Sequence, residues 1–514
     1  MNPNILRLHP SDDVAVLKRA IKSGTPVECE WDGARIAAAR DIPQGHKIAL
    51  REIGAGEPIR KYGQIIGFAR NAIKPGDWVH THNVEVKDFG RDYQFCSDIR
   101  PVATVPPEQM RFFQGYGRAD GRAGTRNYVA VISSVNCSAS VSQYVAQRFK
   151  NESFARDFPN VDGVIAFTHK SGCAITPDEP VRLLQRVLAG VARHPNIFGY
   201  VLIGLGCETN QVEGLVRAHN LDAPNPGGAR PEFLTIQRTG GVRRTVDAAV
   251  AAVLKVLPQA NALKRSPQPI SKLILAENCG GSDGNSGITA NPALGVASDE
   301  LVRYGGTSVL AETPEIYGAE HLLTRRAVSR EVGEKLISFI KWWEDHARMH
   351  NATIDNNPSP GNKEGGLTTI YEKSLGAVAK GGQAPLAAVY KYAEPITTPG
   401  FGFMDTPGYD PVSMTGLMAG GCNIGVFTTG RGSVYGCKPS PCIKVATNTP
   451  MYEHMSEDMD LNAGTIMDGT ESVAQVGAHI FEKIISVASG EKTKSEAQGI
   501  GDEEFAPWHI GPVF

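Results

Sequence analysis

The sequence predicts an α/β protein in which a small N-terminal all-β domain precedes a large α/β body built on mostly parallel sheets. Over residues 1–97, short apolar runs are separated by turns such as DIPQGHK and GAGEPI, a spacing typical of short β-strands. From residue 127 onward, continuous apolar runs of strand length alternate with helical stretches, as in NYVAVISSV followed by SASVSQYVAQRFKNE. That alternation indicates βαβ units with a parallel sheet.

Changes in composition along the chain predict the domain boundaries. Residues 98–116 contain several prolines and little periodicity, which favours a linker. A Gly/Pro-rich stretch, NNPSPGNKEGG, begins at residue 356 and precedes a further group of predicted strands. We therefore expect a β domain over 1–97, a linker over 98–116, an α/β domain over 117–355 and a C-terminal α/β region over 356–514. The pattern leaves open whether the last region is a third domain or a continuation of the second.

The composition argues against several classes of protein. The 514 residues include 52 Lys+Arg and 54 Asp+Glu, for a formal net charge of −2, without the basic excess that is usual in nucleic-acid and membrane-surface proteins. No apolar run approaches the roughly 18–20 residues of a membrane span, and the first residues lack the pattern of a secretory signal. Nine cysteines are too sparse for a disulfide scaffold, so we expect a reduced, cytoplasmic setting.

Four cysteines occupy equivalent positions, each where an apolar run of strand length ends: Cys137, Cys173, Cys207 and Cys279. In an open α/β sheet, ligands bind beyond the carboxyl ends of the strands, so these thiols could converge although they are far apart in sequence. Thiolates select zinc, iron or iron–sulfur clusters, and His169 adds a nitrogen ligand or an acid–base group. The alternative is that each thiol is a small buried side chain that fills space at a strand end.

Polar and charged side chains at comparable positions favour an acidic, hydroxylated ligand. The loop ENCGGSDGNSGITANP exposes backbone N–H groups that suit a carboxylate, and guanidinium groups bind carboxylates through paired hydrogen bonds. Two acidic residues, Glu312 and Glu315, follow another apolar run. The residues predicted to contact the ligand are Arg126, Asn127, Ser282, Asp283, Thr289, Asn291, Lys363 and Arg431. Each of them has a structural alternative as a turn residue or a surface group.

The N-terminal domain contributes a second group of candidates. The stretch QGHKIAL places His46 beside Lys47, and the RKYG turn could bring Tyr62 toward the same place. His80 and His82 form a His-x-His pair, whose side chains share one face of a strand and could bind a metal. An imidazole titrates near neutral pH and so suits a general base, whereas a lone histidine is often a satisfied polar residue instead.

The chain resembles the altronate dehydratase/galactarate dehydratase family along nearly its whole length. The motifs that carry the resemblance follow one order: GHKIAL, KYGQIIGFA, GYGRADGRAGTRN, HKSGC, GLGCE, CGGSDGNSGITANP, NPSPGNKEGG, FTTGRG, IKVATNT and LNAGTI. The resemblance implies an N-terminal SAF-type β-domain and a body unrelated to the enolase barrel. It also implies an iron-stimulated, oxidation-sensitive reaction, in which an aldonate or aldarate loses water to give a 2-keto-3-deoxy sugar acid.

The resemblance leaves several functions open. The stretches THN and GYDP…AGG…FTTGRG are closer to the altronate branch, so D-altronate is the expected substrate, with galactarate or another hexarate or aldonate as the alternative. A related split enzyme, sulfolactate sulfo-lyase, shares both parts but eliminates sulfite; here both parts lie in one chain, which favours a dehydratase. A non-catalytic sugar-acid sensor is the remaining alternative. We expect a homo-oligomer and no nucleic-acid or membrane partner.

The chemistry of dehydration suggests a role for each candidate. A base must remove the C2 proton, an acid must help the C3 hydroxyl leave, and a positive group must neutralise the carboxylate as charge builds. We expect Fe²⁺ for the last role, or else Mn²⁺ or another divalent metal, with ligands from the four cysteines at strand ends. His169 or His46 is the expected base, and Lys47 is the next candidate.

Overall fold

The computed structural model describes residues 4–29, 33, 35–225 and 227–511, and it confirms the predicted fold class. A strand-rich N-terminal domain is followed by two α/β units, each with its own parallel sheet. Among the described residues, no helix combines the length and apolar character that crossing a membrane requires.

The described part of the N-terminal domain contains short strands in three antiparallel sheets. The strands are β1 (Ile5–Leu6), β2 (Val14–Leu17), β3 (Pro26–Glu28), β4 (Arg35–Ala37), β5 (Lys47–Ala49), β6 (Pro58–Lys61), β7 (Gln64–Ala69), β8 (Trp78–Val79) and β9 (Val84–Glu85). They pair in the orders β1-β2-β5-β8, β3-β4 and β6-β7-β9. The β6–β7 hairpin turns at Tyr62 and Gly63, whose φ angles of 61° and 70° are those of the type I′ turn that matches the twist of paired strands.

An extended segment leads from this domain to the next. Residues 86–111, all of them described, contain no strand or α-helix, and β10 (Phe112–Gly117) and β11 (Ala123–Gly124) then form a hairpin. The linker predicted over 98–116 therefore ends inside a strand. The reason is a distant partner, because residues 266–269 pair with β10 on its other side.

Residues 128–262 form a four-stranded parallel sheet with its helices. The elements are β12 (Tyr128–Ser133), α1 (Ala139–Gln147), α2 (Phe154–Asp157), β13 (Gly163–Phe167), α3 (Glu179–Ala192), β14 (Ile197–Gly204), α4 (Val212–His219), β15 (Glu232–Thr235), α5 (Ile236–Thr239) and α6 (Val242–Ala262). The strand order is β13-β12-β14-β15. Every residue of β12 and β14 is buried, as expected for central strands of a parallel sheet.

The remaining residues build a larger parallel sheet. The elements are β16 (Ser266–Pro269), β17 (Ile274–Cys279), α7 (Ala290–Arg303), β18 (Thr307–Leu310), α8 (Glu320–Arg325), α9 (Arg330–Met349), α10 (Pro360–Glu364), α11 (Ile370–Val378), β19 (Leu386–Tyr390), β20 (Gly400–Met404), α12 (Asp410–Gly420), β21 (Ile424–Thr429), β22 (Cys442–Ala446), α13 (Thr449–His454), β23 (Leu461–Asn462), α14 (Thr465–Asp468), α15 (Val473–Ala488) and α16 (Lys494–Ala497). Strand β16 pairs with β10. The other seven strands form one sheet in the order β19-β20-β18-β17-β21-β22-β23.

The expected boundary between residues 355 and 356 falls inside this sheet. Strands β17 and β18 precede it and the other five strands follow it, while β17 hydrogen bonds to both β18 and β21. The division between the two α/β units lies near residue 265 instead. Parallel strands need long crossover connections, and periodicity alone does not distinguish a Gly/Pro-rich crossover from a linker.

Helix α7 packs between the large sheet and α15. Its buried face presents Ala293, Leu294, Ala297 and Leu301 to the core. A Cβ atom at Gly477 of α15 would lie 2.5 Å from the Val296 side chain, so the close approach of the two helices requires glycine there. This packing fixes the sheet whose carboxyl edge carries the candidate site.

Candidate active site

The carboxyl edge of the seven-stranded sheet carries a dense group of ionisable side chains. Cys279 ends β17, Glu312 follows β18, and Asp410 begins α12 after β20. Strands β17, β18 and β20 meet at this edge, because the order β20-β18-β17 makes them neighbours. The chain leaves β17 toward β18 but leaves β21 toward β22, in the opposite direction. Ligands of open α/β sheets bind where the strand order reverses in this way.

A thiol and two carboxylates share the centre of this crevice. The Sγ atom of Cys279 and one oxygen each of Glu312 and Glu315 lie within 4.8 Å of one another. The Nζ atom of Lys380 lies 2.9 Å from Cys279 Sγ and 3.2 Å from Glu312 Oε2. The Nζ atom of Lys373 donates to Glu315 Oε1 at 2.6 Å. All five side chains are buried, so their charges interact more strongly than they would in water.

Burial and mutual repulsion shift the pKa values in this crevice. Burial, reinforced by the charge of Glu315, raises the pKa of Glu312 to about 8 and that of Asp410 to about 7. Burial also raises the pKa of the Cys279 thiol to about 12. Burial disfavours the charged form of Lys380, but the neighbouring Cys279 and Glu312 outweigh it and raise the pKa of that lysine. Carboxyl groups that titrate near neutrality in a crevice are typical of acid–base sites.

A cavity of about 580 Å³ opens beside the cluster. Cys279, Glu315, Lys373 and Asp410 are among the residues that line it. Asn357, which also lines it, donates to Glu315 Oε1 at 2.7 Å and accepts from Lys373 Nζ at 2.8 Å. The volume of the cavity suits a small molecule. The carboxylates and the ammonium group on its wall can form hydrogen bonds and ion pairs with polar groups of such a molecule.

The cluster contains three donor groups that could bind a divalent metal. One thiol sulfur and two carboxylates are donors that iron accepts. The Oε1 atom of Glu312 is buried without a hydrogen-bond partner among the described residues, so one oxygen is available to a cation. Glu312 also has a φ angle of 69°, a strained conformation for a non-glycine residue that is typical of functional sites. Lys380 contacts two of the three donors, so a bound metal would share them with this ammonium group.

The loop after β17 directs most of its predicted ligand-binding groups into the protein. Asp283 is buried and accepts hydrogen bonds from the side chains of Ser286, Thr447 and Asn448. Burial raises the pKa of Asp283, whereas these hydrogen bonds lower it. The carboxylate therefore fixes the loop against the segment after β22.

The other predicted residues of that loop are buried as well. Thr289 donates to main-chain carbonyl oxygens, and Asn291 bonds to the Gly376 carbonyl and to Thr428. The hydroxyl of Ser282 is buried and has no partner among the described residues. Of this loop, residues 279–281 line the cavity, whereas Ser282, Asp283, Thr289 and Asn291 do not.

Arg126 and Asn127 lie where the first α/β unit, with the smaller sheet, meets the C-terminal segment. Arg126 forms a buried ion pair with Glu496, at 2.7 Å between Nε and Oε1, and donates to three main-chain carbonyl oxygens. Asn127 donates to the carbonyl oxygens of Asn160 and Ala260. The protein itself satisfies both groups, and neither lines the cavity.

Lys363 and Arg431 lie closer to the cavity. Arg431 is exposed, its Nη2 atom is 3.5 Å from Glu364 Oε2, and its backbone N–H donates to Gly281. Lys363 is half-buried in α10 and follows Asn362, which lines the cavity. These two cations lie beside the cavity without forming its wall.

Lys47 is part of a buried ion triad between the N-terminal domain and the body. Its Nζ atom lies 2.8 Å from Glu372 Oε2, and Lys61 Nζ lies 2.9 Å from Glu372 Oε1. Burial lowers the pKa of Lys47 to about 8, although Glu372 opposes that shift. The next residue along α11 is Lys373 of the candidate site. Lys47 is therefore linked to the cavity through α11 and does not line it.

His46 lies at the same interface. Its Nε2 atom is 3.1 Å from the carbonyl oxygen of Glu364, and its Nδ1 atom accepts from the indole of Trp78. Burial, with the charge of Lys47, lowers the pKa of His46 to about 4. His80 stacks on Trp78 with ring centroids 5.0 Å apart, and the His82 ring lies 5.5 Å from the same indole. These rings pack around one indole rather than around a cavity.

The four cysteines predicted as ligands belong to two different sheets. Cys137, Cys173 and Cys207 follow β12, β13 and β14 of the smaller sheet, and all three are exposed. Cys279 is buried in the larger sheet, so the four thiols do not form one group. Sequence position at a strand end was informative, but it did not reveal which sheet each strand joins.

His169 supports the smaller sheet. Its Nε2 atom is 3.0 Å from the carbonyl oxygen of Ser133, and its Nδ1 atom accepts from the backbone N–H of Ser171. Burial lowers the pKa of His169 to about 4. Because main-chain groups occupy both ring nitrogens, neither is free in this conformation to take a proton from a ligand.

Three residues of the candidate site were absent from the sequence-based prediction. Lys373 and Lys380 are seven residues apart in the largely apolar stretch YEKSLGAVAK, which is two turns of a helix, and that spacing could have revealed them. Asp410 precedes a proline at a helix start, where an ordinary capping role conceals it. Glu312 and Glu315 stood out in the sequence as acidic residues after a strand.

The fold and the site together define an α/β enzyme in which a cluster of ionisable groups lies at one wall of a small cavity. Three family models match the chain in the order of its structural units. They are described as the altronate/galactarate dehydratase SAF domain, over residues 3–87, the D-galactarate dehydratase/altronate hydrolase second domain, over 115–261, and the D-galactarate/altronate dehydratase C-terminal domain, over 270–513. The last two models meet close to residue 265, where the two sheets divide.

Full-length relatives agree with these models. The chain is 35% identical over 500 residues to the altronate dehydratase of Bacillus subtilis (strain 168), covering 96% of each chain. It is 36% identical over 513 residues to the galactarate dehydratase (L-threo-forming) of Escherichia coli (strain K12), covering 99% of this chain and 97% of that one. A (2R)-sulfolactate sulfo-lyase subunit beta from Chromohalobacter salexigens is 31% identical over 400 residues, 77% of this chain. The chain belongs to the altronate/galactarate dehydratase family and is a hydro-lyase.

Proposed function

We propose that this enzyme removes water from an aldonate or aldarate at the Cys279 crevice and releases a 2-keto-3-deoxy sugar acid. The observation that carries the proposal is the cluster of two carboxylates, two ammonium groups and a thiol beside a cavity of about 580 Å³. A sugar acid is small, anionic and hydroxylated, so it matches the size of that cavity and the charged groups on the wall beside the cluster.

The residues of the cavity can divide the proton transfers between them. Asp410 lines the cavity and takes the proton from C2 in our proposal, because a carboxyl whose pKa lies near 7 can accept a proton and release it again. Lys373 lines the same cavity and helps the C3 hydroxyl leave, since its ammonium group is held in place by Glu315 and Asn357. His46 and Lys47 act as positioning residues, through the segment that carries Lys373.

We propose Fe²⁺, or else Mn²⁺ or another divalent metal, as the cofactor. Cys279, Glu312 and Glu315 would hold it, supported by the free Oε1 of Glu312. When bound, such an ion supplies positive charge that stabilises a developing enediolate-like anion. Arg431 and Lys363, beside the cavity, are the cations that attract the substrate carboxylate in our proposal, because Lys373 on the cavity wall is assigned to the leaving hydroxyl.

D-Altronate is the substrate that we propose first. The local sequence similarity to the altronate branch supports it, and galactarate is the alternative because a galactarate dehydratase is similarly identical to the chain. A cytoplasmic setting and a homo-oligomer remain predictions. Sulfite elimination is the next candidate, given the sulfo-lyase relative.

The test is an anaerobic assay of the purified protein with ferrous iron and a thiol reductant. D-Altronate, galactarate and other aldonates and aldarates are screened for 2-keto-3-deoxy acid formation. We expect product from one acid, its loss on treatment with a chelator, and its recovery when ferrous iron is restored. Glu312→Gln should lower kcat by roughly 10²-fold or more, because it removes one of the three proposed metal ligands.

The control is Glu334→Gln, which neutralises an exposed carboxylate of α9 away from the cavity lining and should retain the wild-type rate within about twofold. No product from any acid, with the metal content verified, would contradict the dehydratase proposal. Release of sulfite from sulfolactate would then support the sulfo-lyase reaction. A melting temperature that rises with a sugar acid, without product, would support a binding protein.

A further inference from the structure

Three exposed cysteines share one edge of the smaller sheet. Cys137 follows β12, Cys173 follows β13 and Cys207 follows β14, and the strand order β13-β12-β14 makes these three strands neighbours. The strands are parallel, so their carboxyl ends lie at the same edge. The other six cysteines are buried or half-buried. This edge therefore presents a set of accessible thiols that the dehydration site does not use.

Hydrogen bonds join the three loops that carry these thiols. The backbone N–H of Asn136, next to Cys137, donates to the Ser171 carbonyl at 2.8 Å. The hydroxyl of Thr209, two residues after Cys207, donates to the carbonyl of Cys173 at 2.7 Å. Each cysteine loop is thus hydrogen-bonded to a neighbouring one, and the three loops lie together at the crevice beyond the carboxyl ends of these strands.

The crevice also lies where the strand order of the smaller sheet reverses. The chain leaves β12 toward β13 on one side, and it leaves β14 toward β15 on the other. Strands β12 and β14 are neighbours, so Cys137 and Cys207 flank the point at which ligands of open α/β sheets bind. The larger sheet uses the equivalent position for Cys279.

The ligand atoms of His169 and Glu208, near these thiols, already form hydrogen bonds with protein groups. Main-chain groups occupy both ring nitrogens of His169. The carboxylate of Glu208, next to Cys207, accepts from the Ser134 hydroxyl and from the backbone N–H groups of residues 205 and 206. The accessible donors at this edge are the three thiols and the exposed His509 ring, whose Nδ1 atom lies 3.4 Å from the Ser171 hydroxyl. Thiolate ligands select iron–sulfur clusters among others.

The spacing of the sulfurs argues against a single metal ion. Thiolate sulfurs lie about 2.3 Å from a zinc ion, so two sulfurs that share such an ion lie no more than about 4.6 Å apart. The sulfur atoms of Cys137, Cys173 and Cys207 do not all lie within 4.8 Å of one another. A polynuclear cluster has a larger footprint, because each thiolate binds a different iron.

We propose that Cys137, Cys173 and Cys207 bind a [4Fe–4S] cluster. Three thiolates supply one ligand to each of three irons, and the fourth iron has no cysteine ligand from this crevice. Such a cluster is anionic, and Cys137 lies at the N-terminal end of α1, where the helix dipole favours negative charge. The site is separate from the Cys279 crevice and does not depend on the dehydratase proposal.

The experiment loads the full-length protein with ferrous iron and sulfide under anaerobic conditions and removes the excess. We expect roughly four irons and four acid-labile sulfides per chain, with a broad absorbance band at about 400 nm. Cys137→Ser, Cys173→Ser and Cys207→Ser should each lose most of the sulfide and of that band. Cys96→Ser, which removes a half-buried thiol elsewhere, is the matched control and should keep both.

The content of acid-labile sulfide distinguishes a cluster at these three cysteines from a metal ion at Cys279. A ferrous ion at Cys279 brings no sulfide, so Cys279→Ser should leave the sulfide content and the 400 nm band unchanged. Circular dichroism establishes that each serine variant is folded. Wild-type protein that binds iron without sulfide, or binds one metal per chain, would overturn the cluster, as would three serine variants that all retain it.

Discussion

At the residue scale, Lys380 joins the parts of the candidate site. Its ammonium group is fully buried and contacts both the Cys279 thiol and the Glu312 carboxylate. A buried ammonium without such partners destabilises a protein by several kcal/mol, so the contacts are needed for stability as well as for chemistry. They also fix the thiol and the carboxylate relative to the cavity. Lys380 thus joins the end of β17 to the loop after β18.

Asp410 gives the most direct test of the proposed acid–base chemistry. Asp410→Asn should lower kcat by about 10²–10⁴-fold and change KM little, because the amide keeps the shape of the carboxyl but accepts no proton. Steady-state kinetics on the active sugar acid would measure both constants. Asp345→Asn, at an exposed position of α9, should match the wild type. A kcat within threefold of wild type for Asp410→Asn would exclude it as the base.

At the scale of elements, α11 joins two clusters that lie on either side of it. Glu372 contacts Lys47 and Lys61 of the N-terminal domain, whereas Lys373 contacts Glu315 at the cavity. Adjacent helix positions point about 100° apart, so neighbouring residues can serve different surfaces. The docking of the small domain and the position of a proposed acid group therefore depend on the same helix.

The buried triad predicts a large effect from one carboxylate. Glu372→Gln should destabilise the protein by about 3–5 kcal/mol, because it leaves two buried ammonium groups without their counter-charge. Urea unfolding, monitored by tryptophan fluorescence, would measure the decrease in the free energy of unfolding. Glu334→Gln breaks an exposed ion pair on α9 and should cost less than about 1 kcal/mol.

A second variant guards against a trivial failure to fold. Replacing the triad together, with Lys47→Met, Lys61→Met and Glu372→Leu, removes all three of its buried charges and should recover much of the stability. If Glu372→Gln unfolded at the same urea concentration as the wild type, the triad would not contribute to stability as proposed.

At the scale of the whole molecule, buried histidines and buried carboxyl groups have opposite effects on the free energy of unfolding when the pH falls. Burial lowers the pKa of His194 to about 3, and it raises the pKa values of Glu277, Glu312 and Asp410 to about 7, 8 and 7. Between pH 3 and 6.5 the unfolded chain binds more protons at such a histidine, so this contribution to stability is lost on acidification. The raised carboxyl groups act in the opposite direction between pH 4.5 and 8. The net response is a difference between the two sets.

A single histidine variant isolates one side of that balance. His194 is buried between the Cys422 carbonyl and the backbone N–H of Asn196. His194→Gln cannot take up a proton on unfolding, so its melting temperature should fall less than that of the wild type between pH 7.5 and pH 5. His454→Gln, at an exposed position, should respond to acid like the wild type. An equal fall for His194→Gln and wild type would contradict the linkage.

Much of the fold follows from local patterns that a sequence displays directly. Continuous apolar runs such as FGYVLIGLG become buried central strands, and the turn-rich first segment becomes short antiparallel strands. The candidate site was predicted less completely. Cys279, Glu312 and Glu315 follow strands and were visible, but Arg126 and Asp283 proved to bind protein groups rather than line the cavity. A buried arginine and a ligand-binding arginine have the same sequence signature.

The sequence by itself determined the fold class, the family and the positions of polar residues at strand ends, because these depend on periodicity and on contiguous motifs. Only the tertiary structure decided how the strands are shared between two sheets, and hence that Cys279 stands apart from Cys137, Cys173 and Cys207. It also brought Lys380 to Cys279, across 101 residues of chain. Such contacts depend on which strands become neighbours. Strand order arises from packing over the whole chain, and no local pattern encodes it.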